Sequence, residues 1–185
     1  MTCLPVVINN YLILLFFNKI LSARLFMIKK ILLLCFLFGV FACSNKGTRI
    51  PEFNLTTLDG KSISEKDLEG KITVINVWAT WCHSCLEELP ELNELAQKYV
   101  QDTSVLFLAL SDESEEKVKH FLQKRAFNFN QIPAATQLTD DLQTRLVKTY
   151  PQFLIIGKDM KIEFERSRGL KNTKELLSRE IESLR

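Results

Sequence analysis

Histidine and cysteine are scarce in this chain, with two and five respectively in 185 residues. The candidate metal ligands beyond the N-terminal segment are Cys43, Cys82, Cys85, His83 and His120. They include no second Cys-x-x-Cys pair, so they do not form the four-ligand pattern of a structural zinc site. A charge excess is also missing: 24 Lys+Arg stand against 22 Asp+Glu, a formal +2. That balance argues against nucleic acid as a partner held by phosphate neutralisation. With 46% apolar residues, the chain lacks the low-hydrophobicity, high-charge profile of disorder, and its length suits one domain with an appendage. Acidic residues are absent from positions 1–42, which hold four basic residues (Lys19, Arg24, Lys29, Lys30) and 31 apolar ones. Without them, residues 43–185 carry 20 basic and 22 acidic residues, a formal −2.

The first 42 residues therefore read as a leader. From Met27 come a basic start (Lys29, Lys30), an apolar run over 31–42, and then Cys43-Ser44-Asn45-Lys46. These are the parts of a secretory signal. The run through Cys43 is 13 residues, short of the roughly 18–20 needed to cross a bilayer as a helix. Val40-Phe41-Ala42-Cys43 resembles the lipobox of bacterial lipoproteins, in which cleavage precedes a cysteine that becomes lipidated, although Phe41 departs from the usual small residue. The alternative is an uncleaved signal anchor with Cys43 as an incidental thiol. Residues 1–26 place a second apolar stretch ahead of a complete signal. Either translation starts at Met27, or the segment forms a longer hairpin-like anchor. The expected division is a leader over 1–42, a lipid-anchored tether over 43–50 and a folded domain over 51–185.

No repeats or low-complexity tracts follow the tether. Phe53-Asn54-Leu55 and Lys61-Ser62-Ile63 alternate around Asp59-Gly60, a hairpin signal. One helical turn is expected over 64–68, closed by Gly70. The β-branched run over 72–78 and a second run over 105–110 read as strands, separated by a helical pattern that suggests a parallel βαβ unit. Leu86, Leu89, Leu92, Leu95, Ala96 and Tyr99 recur at helical spacing, predicting a helix over 82–100, with a lost hydrogen bond and a kink at Pro90. Further helices are expected over 115–125 and, shorter, over 140–147. Residues 153–156 and 162–164 flank Gly157-Lys158-Asp159 as a hairpin, and a helix from Thr173 closes the chain. This order describes an α/β fold with a mixed-direction sheet and helices on both faces.

Trp78-Ala79-Thr80-Trp81-Cys82-His83-Ser84-Cys85 falls where the first long strand ends and the long helix begins. At a helix N-terminus, unpaired backbone N–H groups and the dipole favour negative charge. Cys82 there would ionise below its free value of about 8.5 and serve as a nucleophilic thiolate. Cys85, one turn on, would be close enough to resolve a mixed disulfide. A c-type haem attachment would need His after Cys85, where Leu86 stands. A purely structural disulfide spanning one turn would constrain little of the chain.

With these motifs in place, the sequence resembles the thioredoxin superfamily, in particular its membrane-tethered TlpA/ResA-like branch of disulfide reductases. The resemblance runs from about Pro51 to the C-terminus. It rests on Phe53-Asn54-Leu55 through Asp59-Gly60-Lys61, Gly70-Lys71, the Trp78–Cys85 motif, Glu88-Leu89-Pro90 and Tyr150-Pro151. It implies a thioredoxin-like fold: a mixed central sheet flanked by helices, with an N-terminal β-hairpin extension. It also implies that Cys82 attacks, that Cys85 resolves, and that Pro151 is the cis-proline whose neighbouring backbone docks the substrate chain, with Trp81 and Tyr150 alongside. From spacing alone, Pro151 reads equally as a trans proline starting a strand. Glu88 matches a glutamate placed beneath the active site as proton acceptor for Cys85; the alternative is a solvated helix residue like Glu87 and Glu91. His83 and Ser84, between the cysteines, would tune the redox potential. Trp81 would shield Cys82 and Trp78 would pack in the core. His120 reads as a surface residue. Gln152 replaces the threonine common after the cis-proline, a departure that bears on which protein docks.

The expected protein is thus an extracytoplasmic, membrane-anchored thiol–disulfide oxidoreductase working as a reductase. It would need no cofactor beyond a redox-active Cys82–Cys85 disulfide and no metal. Its expected partners are protein disulfide substrates and a membrane electron donor, and it would act as a monomer. Apocytochrome haem-site cysteines, as in cytochrome c maturation, another oxidoreductase and general envelope thiols all suit as substrates. The rivals are a thiol oxidase or isomerase of the same fold, a non-catalytic binding module in which the pair is structural, and a peroxiredoxin-like peroxidase. For the latter, the Pro-x-x-x-Thr-x-x-Cys pattern is absent, because Thr80 plus three lands on His83.

Overall fold

Six consecutive buried residues, Ile72–Val77, form β3, the centre of a five-stranded sheet. A strand covered on both faces has no polar side to present, which is why its sequence is a continuous β-branched run rather than an alternation. In a computed structural model, which describes residues 47–143, 148–169 and 171–185, β3 pairs in parallel with β4 (Val105–Leu110) and antiparallel with β6 (Gln152–Ile156). β5 (Asn130–Ile132) adds in parallel to β4 at one edge, and β7 (Ile162–Ser167) adds antiparallel to β6 at the other. The order is β5-β4-β3-β6-β7. Ahead of it, β1 (Asn54–Thr56) and β2 (Ser62–Ser64) form a separate antiparallel hairpin, followed by a short 3-10 turn over Glu65–Leu68. Gly60, in the turn between β1 and β2, and Gly70, just ahead of β3, both take positive φ, at +83° and +76°. The leader, the lipidation candidate Cys43 and the tether as far as Lys46 lie outside the described residues.

Four helices cover the sheet: α1 (His83–Lys98), α2 (Glu115–Leu122), α3 (Thr136–Leu142) and α4 (Thr173–Ser183). Alternation along β3 gives each face its own core. On one side Val74 packs with Leu89, Leu92 and Leu95 of α1, Val118 of α2, and Leu177 and Ile181 of α4. On the other, Ile75 and Val77 pack with Leu68, Leu138, Leu142 and Ile63 of the hairpin. The mixed sheet, the helices on both faces and the N-terminal hairpin agree with the sequence reading. Among the described residues, no helix is long and apolar enough to cross a membrane.

Two elements differ from expectation. The short helix expected over 140–147 instead begins at Thr136, because Leu138 and Leu142, one turn apart, are its buried face; residues 144–147 lie outside the described ones. β5 was not foreseen. It has three residues, at an edge, and Asn130-Gln131-Ile132 carries no alternation to betray it. Pro90 lies inside α1 on its exposed side, and the helix continues through it to Lys98.

Trp78, fully buried at the end of β3, sits 5.2 Å from the Phe121 ring and 5.3 Å, edge-on, from Phe127. Replacing it with alanine removes the largest side chain at the sheet's active end. Trp78→Ala is expected to cost about 3–5 kcal/mol, read as a lowered urea midpoint at unchanged slope.

Candidate active site

The chain leaves β3 with Trp78 N donating to Leu110 O at 3.0 Å and turns through Cys82 N to Ala79 O at 3.1 Å. Cys82 is the N-cap of α1: its backbone is extended, its carbonyl accepts the first helical bond from Leu86 N, and its sulfur accepts from Cys85 N at 3.2 Å. Cys82 and Cys85 are joined in a disulfide. Ser84 Oγ lies 3.6 Å from Cys82 Sγ. No acidic residue occupies the first turn of α1, so nothing local offsets the positive end of the helix at the sulfur. Both cysteines are buried, whereas Trp81 is 67% exposed and meets Tyr150 edge-to-face at 5.4 Å.

Across the cleft, the β3–β6 register pairs Val77 with Gln152, which brings Pro151 to the same end of the sheet as Trp78 and the cysteine turn. The Tyr150–Pro151 bond is cis. Arg168 N donates to Pro151 O at 2.8 Å, tying the β7–α4 loop to this turn. Tyr150 donates its hydroxyl to Asp112 at 2.9 Å, and Lys148 bridges Asp112 and Asp140 at 3.2 and 2.7 Å. Burial, and then the bond to Asp112, push the Tyr150 phenol well above its ordinary pKa, so it remains a hydrogen-bond donor. Gln152 does not face outward. Its amide is buried and donates to Glu165 at 3.1 Å and Leu142 O at 3.4 Å, so the side chain braces the turn from within.

Of the acids following the disulfide, Glu88 is 6% exposed, Glu87 lies in solvent and Glu91 is half-buried. Thr173 Oγ1 donates to Glu88 Oε1 at 3.2 Å. His83 points outward, its Nε2 3.2 Å from Glu87 Oε1. His120, exposed on α2, lies 3.0 Å from Lys124 Nζ and lines a surface pocket together with Thr80 and Trp81. Among the described residues, no three or more His, Cys, Asp or Glu are grouped to hold a metal ion.

The sequence reading missed Glu113. This buried carboxylate on the β4–α2 loop accepts from Thr80 N at 2.6 Å and from Thr80 Oγ1 at 3.0 Å, holding the turn before Cys82 at both polar groups. It is itself pinned by Glu113 N to Ser111 Oγ and by Ala134 N to Glu113 O. The only signal in the sequence is an acid just past a strand end, in a polar stretch that reads as ordinary loop.

A disulfide on a strand-to-helix turn, across from a cis-proline on this mixed sheet, defines a thioredoxin-like fold of the thiol:disulfide oxidoreductase class. Residues 46–165 match the AhpC/TSA family, and the chain belongs to it, as a TlpA/ResA-like member of the thioredoxin superfamily. It is 38% identical over 133 residues to the thiol-disulfide oxidoreductase ResA of Bacillus cereus, covering 67% of this chain and 72% of that one. A thiol:disulfide interchange protein of the thioredoxin family from Chlorobium tepidum superposes with a TM-score of 0.65 at 19% identity, over 77% of this chain and 99% of that one. The exposed lipoprotein thioredoxin of Streptococcus pneumoniae superposes at 0.58 with 25% identity, over 72% of this chain and all of that one.

Removing the carboxylate beneath Thr80 leaves a backbone N–H and a hydroxyl without their charged acceptor. Glu113→Ala is expected to lower stability by about 1.5–3 kcal/mol in denaturant unfolding and to slow disulfide exchange.

Proposed function

We propose that the protein is an extracytoplasmic, lipid-tethered disulfide reductase acting through Cys82 and Cys85. The observation that carries this reading is the placement of the pair: Cys82 caps a helix N-terminus that stabilises its thiolate, and the buried Glu88 follows one turn after Cys85. In the reduced enzyme, the Cys82 thiolate attacks one sulfur of a protein disulfide. The substrate S–S bond breaks, a mixed disulfide forms, and the first substrate sulfur leaves as a thiolate. Cys85 then gives its proton to Glu88 and attacks Cys82 Sγ, releasing the second substrate thiolate and closing the Cys82–Cys85 bond. Two electrons have moved to the substrate, and a dithiol donor at the membrane returns them. No cofactor beyond the disulfide enters. The substrate is an extended segment of a protein docked as a short strand against the backbone before Pro151, with Trp81 and Tyr150 as its apolar wall. Ser84, at the Cys82 sulfur, tunes the thiolate directly, and His83 acts on it only through solvent.

A tether at Cys43 keeps the domain near its donor, and the similarity to an exposed lipoprotein thioredoxin supports that placement. One acyl chain binds only marginally, so stable anchoring takes more than one chain or a second signal.

The direction of electron flow is read from the reduction potential, expected below about −200 mV; a value near about −120 mV, the strong-oxidant end, would overturn the reductase reading in favour of an oxidase. Cys82→Ser is expected to abolish reduction of insulin, while Cys85→Ser stalls the mixed disulfide and captures its substrate. Mass analysis of the mature N-terminus is expected to find a lipidated Cys43; an intact chain from Met1 or Met27 would refute the tether.

A further inference from the structure

α4 begins without a cap of its own. Asn172, its N-cap, takes a left-handed backbone (φ 57°, ψ 51°) and its side chain makes no cap bond. The helix is received instead by a row of carboxylates on α1 at three-residue spacing. Thr173 Oγ1 donates to Glu88 at 3.2 Å, Lys174 N donates to Glu91 Oε2 at 3.0 Å, and Lys174 Nζ meets Glu94 Oε2 at 2.6 Å. The two outer contacts fix where α4 starts. The inner one is fully buried on the Thr173 side and lies one turn below the disulfide. Gly169, in the loop ahead of α4, closes over the same place: a Cβ there would lie 3.7 Å from both Glu88 Oε1 and the Ser84 Cβ.

We infer that Thr173 is a positioning residue which, through its hydroxyl, holds Glu88 in the ionised form that can accept the Cys85 proton. The inference rests on the reading of Glu88 as that acceptor. A hydroxyl can donate to a carboxylate, and the bond is lost or reversed when the acid is protonated, so it favours the charged form. Burial pushes the other way, and without a donor a carboxyl among apolar side chains would be driven toward neutrality. The backbone N–H of Lys174, in the first turn of α4, donates to Glu91, and the Thr173 hydroxyl donates to Glu88. The other charged or titratable groups around Glu88 are Cys85 one turn before it and Glu91 one turn after. Lys174 on α4 has its ammonium engaged by Glu94, and Arg168 and Lys171 flank Gly169 in the loop, both exposed. Thr173 reaches Glu88 from a fully buried position, with its hydroxyl 3.2 Å from Oε1. Sequence spacing gives no hint of this, since 85 residues separate the partners.

The test is a 13C NMR titration of the Glu88 carboxyl, assigned by its loss in Glu88→Gln, alongside the pH–rate profile for single-turnover reduction of a disulfide-bonded peptide. Thr173→Val keeps the shape and removes the hydroxyl. It is expected to raise the Glu88 midpoint by about one pH unit and to move the acid limb of the rate profile up with it. Thr173→Ser, which retains the donor, is expected to titrate like the parent. An unmoved midpoint in Thr173→Val overturns the inference. If the midpoint moves but the rate profile does not, and Glu88→Gln exchanges at the parental rate, the proton-acceptor reading of Glu88 fails while the contact stands. Should Thr173→Val not fold, the parent decides: Thr173 resonances must titrate with the Glu88 midpoint and lose that step in Glu88→Gln, and resonances flat with pH refute the inference.

Discussion

The N-cap of α1 is a sulfur atom, and the rest of the molecule is arranged around that substitution. Helix N-caps ordinarily use a small oxygen-bearing side chain to satisfy the free N–H groups of the first turn. Here Cys82 Sγ takes the Cys85 N–H at 3.2 Å, so the group that satisfies the helix is also the one that would carry the negative charge in the proposed reaction. The capping bond and the dipole both strengthen as charge builds on sulfur. A helix capped by oxygen would be as stable but would have no reactive group at that point. β3 delivers this cap rigidly, because its six residues are buried on both faces and paired on both edges.

Two buried carboxylates serve the cap from different elements, and burial makes each of them demanding. A carboxylate out of water is tolerated where fixed donors replace its hydration. Glu113 has two donors from one residue, Thr80, and so works as a clamp on the turn leading into Cys82. Glu88 is reached from across the interface between α1 and α4, by Thr173. The same physics yields different jobs. Glu113 meets a backbone N–H that stays a donor at every pH, so its role is geometric. Glu88 stands one turn from Cys85, where the proposed reaction would have it take up the proton of the resolving thiol.

How much of this was legible in the sequence follows from the range of the contacts. The strands over 72–78 and 105–110, the long helix with its cysteine pair, and both hairpins announce themselves through local periodicity and turn residues. β5 and the start of α3 do not: a three-residue edge strand has too little length for a pattern, and α3 shows only two apolar positions one turn apart. At the site, Cys82, Cys85, Glu88 and the Tyr150-Pro151 pair were visible through motif spacing and resemblance. Glu113 and Thr173 were invisible, since each meets its partner across 33 and 85 residues and neither belongs to a motif. Gln152 was visible as a departure from the family pattern, but its internal bonds to Glu165 and the end of α3 were not, because they depend on the fold.

The same distinction between visible and buried bears on what sets the reactivity of Cys82. His83 is the obvious candidate, adjacent and able to carry charge. Yet its ring lies in solvent, 3.2 Å from Glu87, where water and salt screen its influence on the sulfur. The influences that act through low dielectric are the helix N-terminus at the sulfur and the Ser84 hydroxyl 3.6 Å from it. A field from oriented amides is fixed by the fold and does not depend on the protonation of an exposed ring. His83 thus stands on the outer face, while Ser84 and the start of α1 lie at the sulfur itself.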